Sequence, residues 1–115
     1  MTDQTQGRTT VSPEVLTTIA RLSALSVPGV SRMASISGGV NRLFRRGPGD
    51  GVRIGVEDNI VYVDLHLVLK QDLNIREVGR TVQQNVTRAI HEMVGMDVGH
   101  VNIHIEDIDY EDNEA

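Results

Sequence analysis

The sequence predicts an α+β fold, a two-layer sandwich in which two helices cover one face of a small mixed sheet of three to four strands. Two observations carry this prediction. Residues 73–95 show one long amphipathic helical pattern, and runs of strand-like alternation stand directly before and after it. A strand, a helix and a second strand in this order form a crossover unit, and a right-handed parallel connection is strongly favoured.

The helical pattern runs over Leu73–Gly95, where apolar residues recur at steps of three and four. The residues predicted to form its buried stripe are Ile75, Val78, Val82, Val86, Ala89, Ile90 and Met93. Asn74 is the expected N-cap, and Glu77 lies three residues on to complete a capping box. Leu73 and Val78 are placed to form a hydrophobic staple, and Gly95 supplies a left-handed residue that ends the helix.

Three strands are predicted in the second half of the chain: 52–57, 60–70 and 98–107. The first two form a hairpin through the turn pair Asp58-Asn59. The side chains predicted to point into the core are Val61, Val63, Leu65, Leu67, Leu69, Val101, Ile103 and Ile105. Those predicted to point out are Tyr62, Asp64, His66, Lys70, His100, Asn102, His104 and Glu106. Such two-faced alternation indicates a sheet that helices cover on one side only.

The first half of the chain predicts a helix that begins at Ser12 as cap, with Pro13 at its first position. Its predicted buried stripe is Leu16, Ile19, Ala20, Ser23, Ala24 and Val27. Pro28-Gly29 ends the helix. Residues 30–36 are predicted as a short edge strand, in which Val30, Ala34 and Ile36 share one face and Met33 points the other way.

At 115 residues the chain is expected to form one domain over residues 10–107. Residues 1–9 are predicted to be a disordered tail, and residues 108–115 an acidic tail. Six acidic residues and no basic ones lie between Glu106 and Ala115, so the rest of the chain is nearly neutral although its net charge is −5. The absence of cysteine excludes a disulfide framework. Without a signal pattern or a long apolar run, the expected location is cytoplasmic.

Residues 37–51 are rich in glycine and predict a loop of undefined conformation. Within it lies an arginine segment, Arg42, Leu43, Phe44, Arg45 and Arg46. Three basic residues around the chain's one phenylalanine fit docking on an anionic membrane surface or an acidic partner. The alternative is a plain connector whose Phe44 folds back onto the core. We predict that the arginine segment is an interaction surface.

Three histidines, His66, His100 and His104, are predicted to share the open sheet face with Asp64 and Glu106. Imidazole and carboxylate groups can bind zinc or a similar ion. His100 and His104 are separated by two strand steps, roughly 13 Å, so one ion cannot be bound by both without a neighbouring strand. We therefore expect no metal and no cofactor, and interpret this face as a solvated polar face or a partner surface.

Arg76, Arg80 and Arg88 fall on the outer side of the long helix, with Gln84 in the same series. They form either an ordinary solvated face, which we favour, or a groove for RNA or an acidic partner. The helix and sheet layout also fits a small RNA-binding domain of KH type. The Gly-x-x-Gly phosphate clamp of that class is absent from the sequence, and no aromatic residues are placed for base stacking.

Catalytic motifs are absent from the sequence. It contains no Gly-x-Ser-x-Gly elbow, no phosphate-binding Gly-x-x-x-x-Gly-Lys loop and no His-Glu-x-x-His pair. We therefore predict that the protein is not an enzyme.

Four segments together carry a resemblance to a known family: residues 12–30 (SPEVLTTIARLSALSVPGV), 51–69 (GVRIGVEDNIVYVDLHLVL), 75–90 (IREVGRTVQQNVTRAI) and 95–108 (GMDVGHVNIHIEDI). In this order they resemble the alkaline-shock, or Gls-type general-stress, family of bacterial envelope stress response proteins. The resemblance implies a small cytoplasmic protein without catalytic activity. It also implies that the protein assembles with itself or associates with the membrane through an integral membrane partner.

From the residues and the resemblance together we expect a non-enzymatic envelope or alkaline stress response protein. It would be a self-associating cytoplasmic scaffold that a membrane protein recruits, with peripheral contact to an anionic membrane through the arginine segment. The alternative is a small RNA-binding domain of KH-like layout, although we do not expect nucleic acid to be a partner.

Overall fold

The structure is a computed structural model that describes residues 7–35 and 51–110. Its elements run in the order helix, strand, strand, strand, helix, strand. Their bounds are α1 Pro13–Leu25, β1 Val30–Met33, β2 Val52–Glu57, β3 Ile60–Lys70, α2 Ile75–Val94 and β4 Asp97–Asp109. The predicted α+β sandwich, with two helices on a small mixed sheet, is confirmed. Residues 42–46, the arginine segment, lie outside the described residues.

Strand β3 is the centre of the sheet, because all three other strands pair with it. β4 runs parallel to β3 from Ile60 to Lys70 along one edge. β1 pairs antiparallel with the last part of β3, and β2 pairs antiparallel with its first part. Since a strand has only two edges, β1 and β2 lie end to end on the edge opposite β4. The parallel β3–α2–β4 crossover is the one that the sequence predicts.

The core lies between this sheet and the two helices, and the described side chains that are buried in it are all aliphatic. Its largest fully buried side chains are Leu16, Val61, Val63, Leu65, Leu67, Leu69, Val82, Val86 and Ile90. They come from one face of β3 and from the facing stripes of α1 and α2. Burying a side chain of this size contributes about 1.5–3 kcal/mol before the ordering entropy is subtracted.

Helix α2 has the predicted caps. The Asn74 Oδ1 accepts a hydrogen bond from the Glu77 backbone N–H at 3.1 Å, and Gly95 has a left-handed φ of 73°. The predicted buried stripe of α2 is confirmed for its central residues and wrong for its two end residues. Val78, Val82, Val86 and Ile90 are buried, whereas Ile75 is 44% exposed and Met93 is 68% exposed. The apolar repeat therefore continues about one turn past each end of the buried stripe.

Helix α1 begins with the predicted cap residue, Ser12, followed by the predicted proline. Ser12 occupies the cap position in an extended conformation, but its side chain makes no capping hydrogen bond within the part of the chain that the structure describes. Its backbone carbonyl accepts instead, from the N–H of Val15 at 3.0 Å and of Leu16 at 3.4 Å. The proline at the first helical position fixes φ and lacks an N–H, which lowers the need for a side-chain cap.

The face of the sheet on which Met33 of β1 lies also differs from the prediction. The register shifts between Val30 and Arg32, so Ser31 is the extra residue of a β-bulge. One extra residue reverses the alternation beyond it. Met33 consequently pairs with Leu67 and packs against the core, instead of pointing away from it. Ile36, predicted on the same face as Val30, lies outside the described residues.

The last strand is longer than predicted at both ends. The sequence places it at 98–107, and β4 runs from Asp97 to Asp109. Ile108 packs against the core, and the Ser31 Oγ donates a hydrogen bond to the Asp109 Oδ2 at 2.6 Å. Residues 108 and 109 are thus part of the folded sheet, although the composition groups them with the acidic tail.

Candidate interaction surfaces

The open face of the sheet carries the polar residues that the alternation predicts. Tyr62, Asp64 and His66 of β3 pair directly with His100, Asn102 and His104 of β4. Because the two strands are parallel, each of these pairs lies side by side on the face away from the helices. The sequence thus assigned these side chains to one face correctly, and the structure adds how they pair.

Two histidines stack at the middle of this face. The rings of His66 and His104 have centroids 4.6 Å apart and planes 15° apart. Each ring is held by a carboxylate: His66 Nδ1 lies 2.6 Å from Glu106 Oε2, and His104 Nε2 lies 3.2 Å from Asp64 Oδ1. Glu106 reaches His66 from a bulge in β4, since the β3–β4 register shifts between Leu67 and Val68.

Asp64 is the best-connected carboxylate of the open face. Its Oδ1 accepts a hydrogen bond from the Asn102 Nδ2 at 3.1 Å in addition to its contact with His104. Burial alone would raise the pKa of Asp64. The hydrogen bonds from His104 and Asn102 and the charges of His104 and His100 outweigh burial, so the pKa lies below its ordinary value.

Tyr62 and His100 close one end of this face. Their ring centroids are 5.0 Å apart in a tilted arrangement. The Tyr62 ring also covers Gly99, because a Cβ added at that glycine would collide with ring carbons. Gly99 is the extra residue where the register shifts between Val61 and Tyr62. His100 therefore packs against an aromatic ring and stands apart from the stacked pair.

The described residues contain no group of three or more histidine or carboxylate side chains placed to hold a metal ion. In the stacked pair, one nitrogen of each imidazole already faces a carboxylate. What the open face offers is a polar surface of paired imidazoles and carboxylates.

A second surface is the groove between α2 and the outer edge of β4, here called the α2–β4 groove. It has a volume of about 480 Å³. The residues lining it are Ile75, Arg76, Gly79, Arg80, Gln83, Asn102, Ile103, His104 and Ile105. Two arginines that the sequence analysis assigned to a solvated face, Arg76 and Arg80, are therefore walls of a groove. Arg88 lies further along the helix, outside this lining.

Gln83 links the two sides of the α2–β4 groove. Its Nε2 donates a hydrogen bond to the Val101 carbonyl of β4 at 3.0 Å. This bond satisfies one backbone acceptor of the edge strand and fixes the distance between helix and strand. The sequence did not predict this hydrogen bond. The helical pattern places Gln83 outside the buried stripe, and it does not show which strand lies beside the helix.

Ala34 and Gly51, which lie on either side of the arginine segment in the sequence, both form backbone hydrogen bonds with His66. The Ala34 N–H donates to the His66 carbonyl, and the His66 N–H donates to the Gly51 carbonyl, each at 2.8 Å. Gly51 has a φ of 83°, and a Cβ there would lie 2.7 Å from the Ala34 carbonyl oxygen, so only glycine fits. The chain thus leaves and rejoins the sheet beside the stacked histidines.

Nearly the whole chain matches a known protein family. The sequence profile of the alkaline shock protein 23 family, described as having a cell envelope-related function, matches residues 1–110. The chain belongs to this family. The resemblance seen in the four sequence segments is confirmed, and an envelope-related role follows from it. The family description names no reaction.

Two bacterial relatives are similar over most of the chain, and both are uncharacterized. The protein YqhY of Bacillus subtilis is 29% identical over 107 residues, which cover 91% of this chain and 79% of YqhY. The protein Spy1535 of Streptococcus pyogenes serotype M6 is 28% identical over 109 residues, covering 94% of this chain and 84% of Spy1535. Neither relative's name assigns an activity.

Solved structures of the MamM-CTD share the fold. One single-substitution variant superimposes with a TM-score of 0.52 at 12% identity, covering 84% of this chain and 98% of that chain. A nickel form of another variant gives a TM-score of 0.51 at 12% identity, with 82% and 96% covered. At this identity the similarity concerns the arrangement of helices and strands alone.

Within residues 7–35 and 51–110, neither helix is long and apolar enough to cross a bilayer. Helix α2 has 20 residues, but five of them are charged, namely Arg76, Glu77, Arg80, Arg88 and Glu92. The middle of its apolar stripe, from Val78 to Ile90, is buried against the sheet.

Proposed function

We propose that this chain is a non-enzymatic envelope stress protein that acts in the cytoplasm as a self-associating scaffold, which a membrane protein recruits to the envelope. The observation that carries the proposal is the family match over residues 1–110, whose description places the family's function at the cell envelope. The remaining parts of the proposal are supported by the surfaces of the fold.

The first support is the kind of surface that the fold presents. The α2–β4 groove and the open sheet face are each shaped by packed secondary structure, and both combine charged with apolar or aromatic groups. Surfaces of this composition suit contacts between proteins. Among the described residues of the open face, no serine or threonine hydroxyl is hydrogen-bonded to a histidine ring, so no hydroxyl nucleophile is paired with a base there.

The second support is the arginine segment, Arg42, Leu43, Phe44, Arg45 and Arg46, which lies outside the described residues. Three positive charges beside a leucine and a phenylalanine suit an anionic membrane surface or the acidic face of a partner, since each basic residue near such a membrane is worth about 1 kcal/mol. We propose that this segment makes the peripheral contact once a membrane protein has brought the scaffold close.

Affinity capture from cells tests the recruitment, with the parent chain and a variant carrying Arg42→Ser, Arg45→Ser and Arg46→Ser as baits. We expect the parent to retain an integral membrane protein and to pellet with anionic vesicles. The variant should keep its thermal stability and lose vesicle pelleting, and raised salt should have the same effect, because exposed charges are screened within about 10 Å at 0.1 M.

A matched control replaces Arg8, Arg53 and Arg88 with serine, which removes the same charge from other exposed positions. If this control loses pelleting as the arginine-segment variant does, net charge and not the segment is responsible. Capture of ribosomal particles in place of a membrane protein would contradict the proposed recruitment and favour RNA binding.

A further inference from the structure

We propose that the α2–β4 groove binds the acidic segment at residues 110–115 of a second copy of this chain. The inference rests on the self-association that is part of the proposed function. It adds to that function the surface that is used and the chemistry of the contact, which is the insertion of an extended acidic peptide beside an edge strand.

The backbone of β4 offers an edge to which another chain can add. This strand pairs with β3 along one side, and no strand of the described residues pairs with its other side. An unpaired edge presents a row of N–H and C=O groups to which an extended chain can add. The Val101 carbonyl already accepts a hydrogen bond from the Gln83 side chain. An added chain would therefore pair with residues 102–105, the stretch of β4 that lines the groove.

The groove walls combine basic and apolar side chains. Arg76 and Arg80 are exposed, stand one helical turn apart and form no ion pair with another described residue. Beside them, Ile75 is exposed and Ile103 is only half-buried, which gives the groove an apolar part. A Cβ built at Gly79 meets nothing within 4 Å, so a peptide backbone has room to approach the helix there. The groove thus suits an extended peptide that carries both acidic and apolar side chains.

The acidic segment at residues 110–115 has a composition that complements these walls. Residues 110–115 read Tyr-Glu-Asp-Asn-Glu-Ala and contain three acidic residues and no basic one. Tyr110 directly follows β4 and is 71% exposed, which makes it the most exposed large apolar side chain among the described residues. An exposed tyrosine followed by carboxylates matches the groove's apolar part and its two arginines. Such aromatic anchors are common at the centre of interfaces.

A second copy fits the groove better than the chain's own segment does. For its own segment to enter, the chain must reverse direction directly after Asp109, where β4 ends. A reversal takes about four residues in a β-turn, and these would include Tyr110, Glu111 and Asp112. The residues that match the groove would then lie in the turn. A segment from a second copy enters the groove without any reversal.

Single-stranded RNA is the other polyanion that an arginine-lined groove could hold. Recognition of unpaired bases depends on stacking against aromatic side chains. The one aromatic ring among the described residues that line the groove is the His104 imidazole, and this ring is already stacked on His66 and held by Asp64. The groove therefore favours an acidic peptide.

The test uses the full chain in sedimentation equilibrium, and a labelled synthetic peptide of residues 107–115 in fluorescence anisotropy. Reversing both groove charges, Arg76→Glu with Arg80→Glu, should weaken self-association and peptide binding by about tenfold or more, because attraction becomes repulsion at two positions. The control, Arg53→Glu with Arg88→Glu, makes the same charge change outside the groove lining and should bind as the parent does. Thermal melts verify that each variant is folded.

A charge exchange provides the second arm. A variant with Glu111→Lys and Asp112→Lys should fail to associate alone, and mixing it with the Arg76→Glu, Arg80→Glu variant should restore association. The inference is wrong if the groove variant associates as the parent does, which leaves the proposed function intact. A parent that is monomeric and does not bind the peptide contradicts both the inference and the proposed self-association. If the groove variant loses affinity for a single-stranded RNA oligonucleotide and keeps its self-association, the groove is a nucleic-acid site and the inference is overturned.

Discussion

At the scale of single residues, the stability of this fold depends most on the side chains of α2 that the sheet covers. Val82 lies at the middle of the buried stripe, is fully buried and belongs to the main core cluster. Two turns of helix on either side hold it in place, so the surroundings cannot collapse fully around a smaller side chain.

The substitution Val82→Ala should therefore lower the free energy of unfolding by about 1–3 kcal/mol, since it removes buried methyl groups and leaves a cavity. Arg80→Ala, two residues away on the exposed side of the helix, should change it by about 0.5 kcal/mol at most. Urea melts of the two variants measure both values. Equal losses would show that the rotation of α2 about its axis is wrong.

The lowered pKa of Asp64 gives a second residue-scale prediction. A carboxyl whose folded pKa is depressed stabilises the fold in full above the ordinary aspartate value of about 3.9, and this contribution is lost as the pH falls through the lower folded value. Asp64→Asn should therefore destabilise the protein at neutral pH. The deficit should disappear at strongly acidic pH, where the parent's own Asp64 is protonated.

Thermal melts of the parent and of Asp64→Asn across a pH series measure this difference. Asp97→Asn is the control, because Asp97 is a highly exposed carboxylate whose contact with His91 is long, 3.9 Å. A stability deficit of Asp64→Asn that is the same at every pH would mean that the hydrogen bonds with Asn102 and His104 do not favour the ionised carboxyl.

At the scale of elements, the sequence predicted α2 well because its signals are local. An N-cap side chain, a stripe repeating every three or four residues and a terminal glycine each depend on neighbours within one or two turns. The apolar stripe alone could not show where the sheet stops. Ile75 and Met93 continue the repeat and are exposed, since burial depends on the partner and not on the pattern.

The bulge in β1, in contrast, depends on residues that are far apart in the sequence. Whether Ser31 is an extra residue depends on how β1 aligns with β3, which is far away in the sequence. The strand pattern alone assumes an unbroken alternation, and it placed Met33 on the wrong face for that reason. Glu106 is likewise an extra residue, in β4, and its contact with His66 depends on how β4 aligns with β3.

The two helix caps yield a prediction at this scale. Asn74→Ala should lower the free energy of unfolding by about 1 kcal/mol, because the Asn74 side chain accepts the Glu77 N–H. Ser12→Ala is its matched control and should cost much less, since the Ser12 side chain makes no capping bond with the described residues. Chemical denaturation of both variants gives the comparison. A larger loss for Ser12→Ala than for Asn74→Ala would contradict the assignment of the caps.

At the scale of the whole molecule, the sequence predicted which residues share a face but not which surface they form. The histidines and carboxylates were assigned to the open face from alternation alone, and their pairing required the parallel register. Arg76 and Arg80 were assigned to a solvated face, because a helical pattern does not show that an edge strand lies alongside. The groove arises from the crossover between β3 and β4, which is a property of the fold.

The arrangement of charge is also a property of the whole chain. Outside the acidic residues from 106 to 115, acidic and basic side chains nearly balance, and the basic ones include both the groove arginines and the arginine segment. The excess of negative charge thus lies at one end of the chain, and the basic clusters lie elsewhere on it. The acidic end of one copy can therefore be attracted to a basic cluster of another.

The proposed scaffold and the proposed groove contact both rest on the claim that this envelope-related protein associates with itself. Sedimentation equilibrium of the full chain, run over a wide range of concentrations at low and at high salt, measures that association. We predict that the average mass rises above that of one 12.6 kDa chain as the concentration increases, and that added salt shifts the rise to higher concentration. A mass that stays at that of one chain at every concentration and in low salt would contradict the claim.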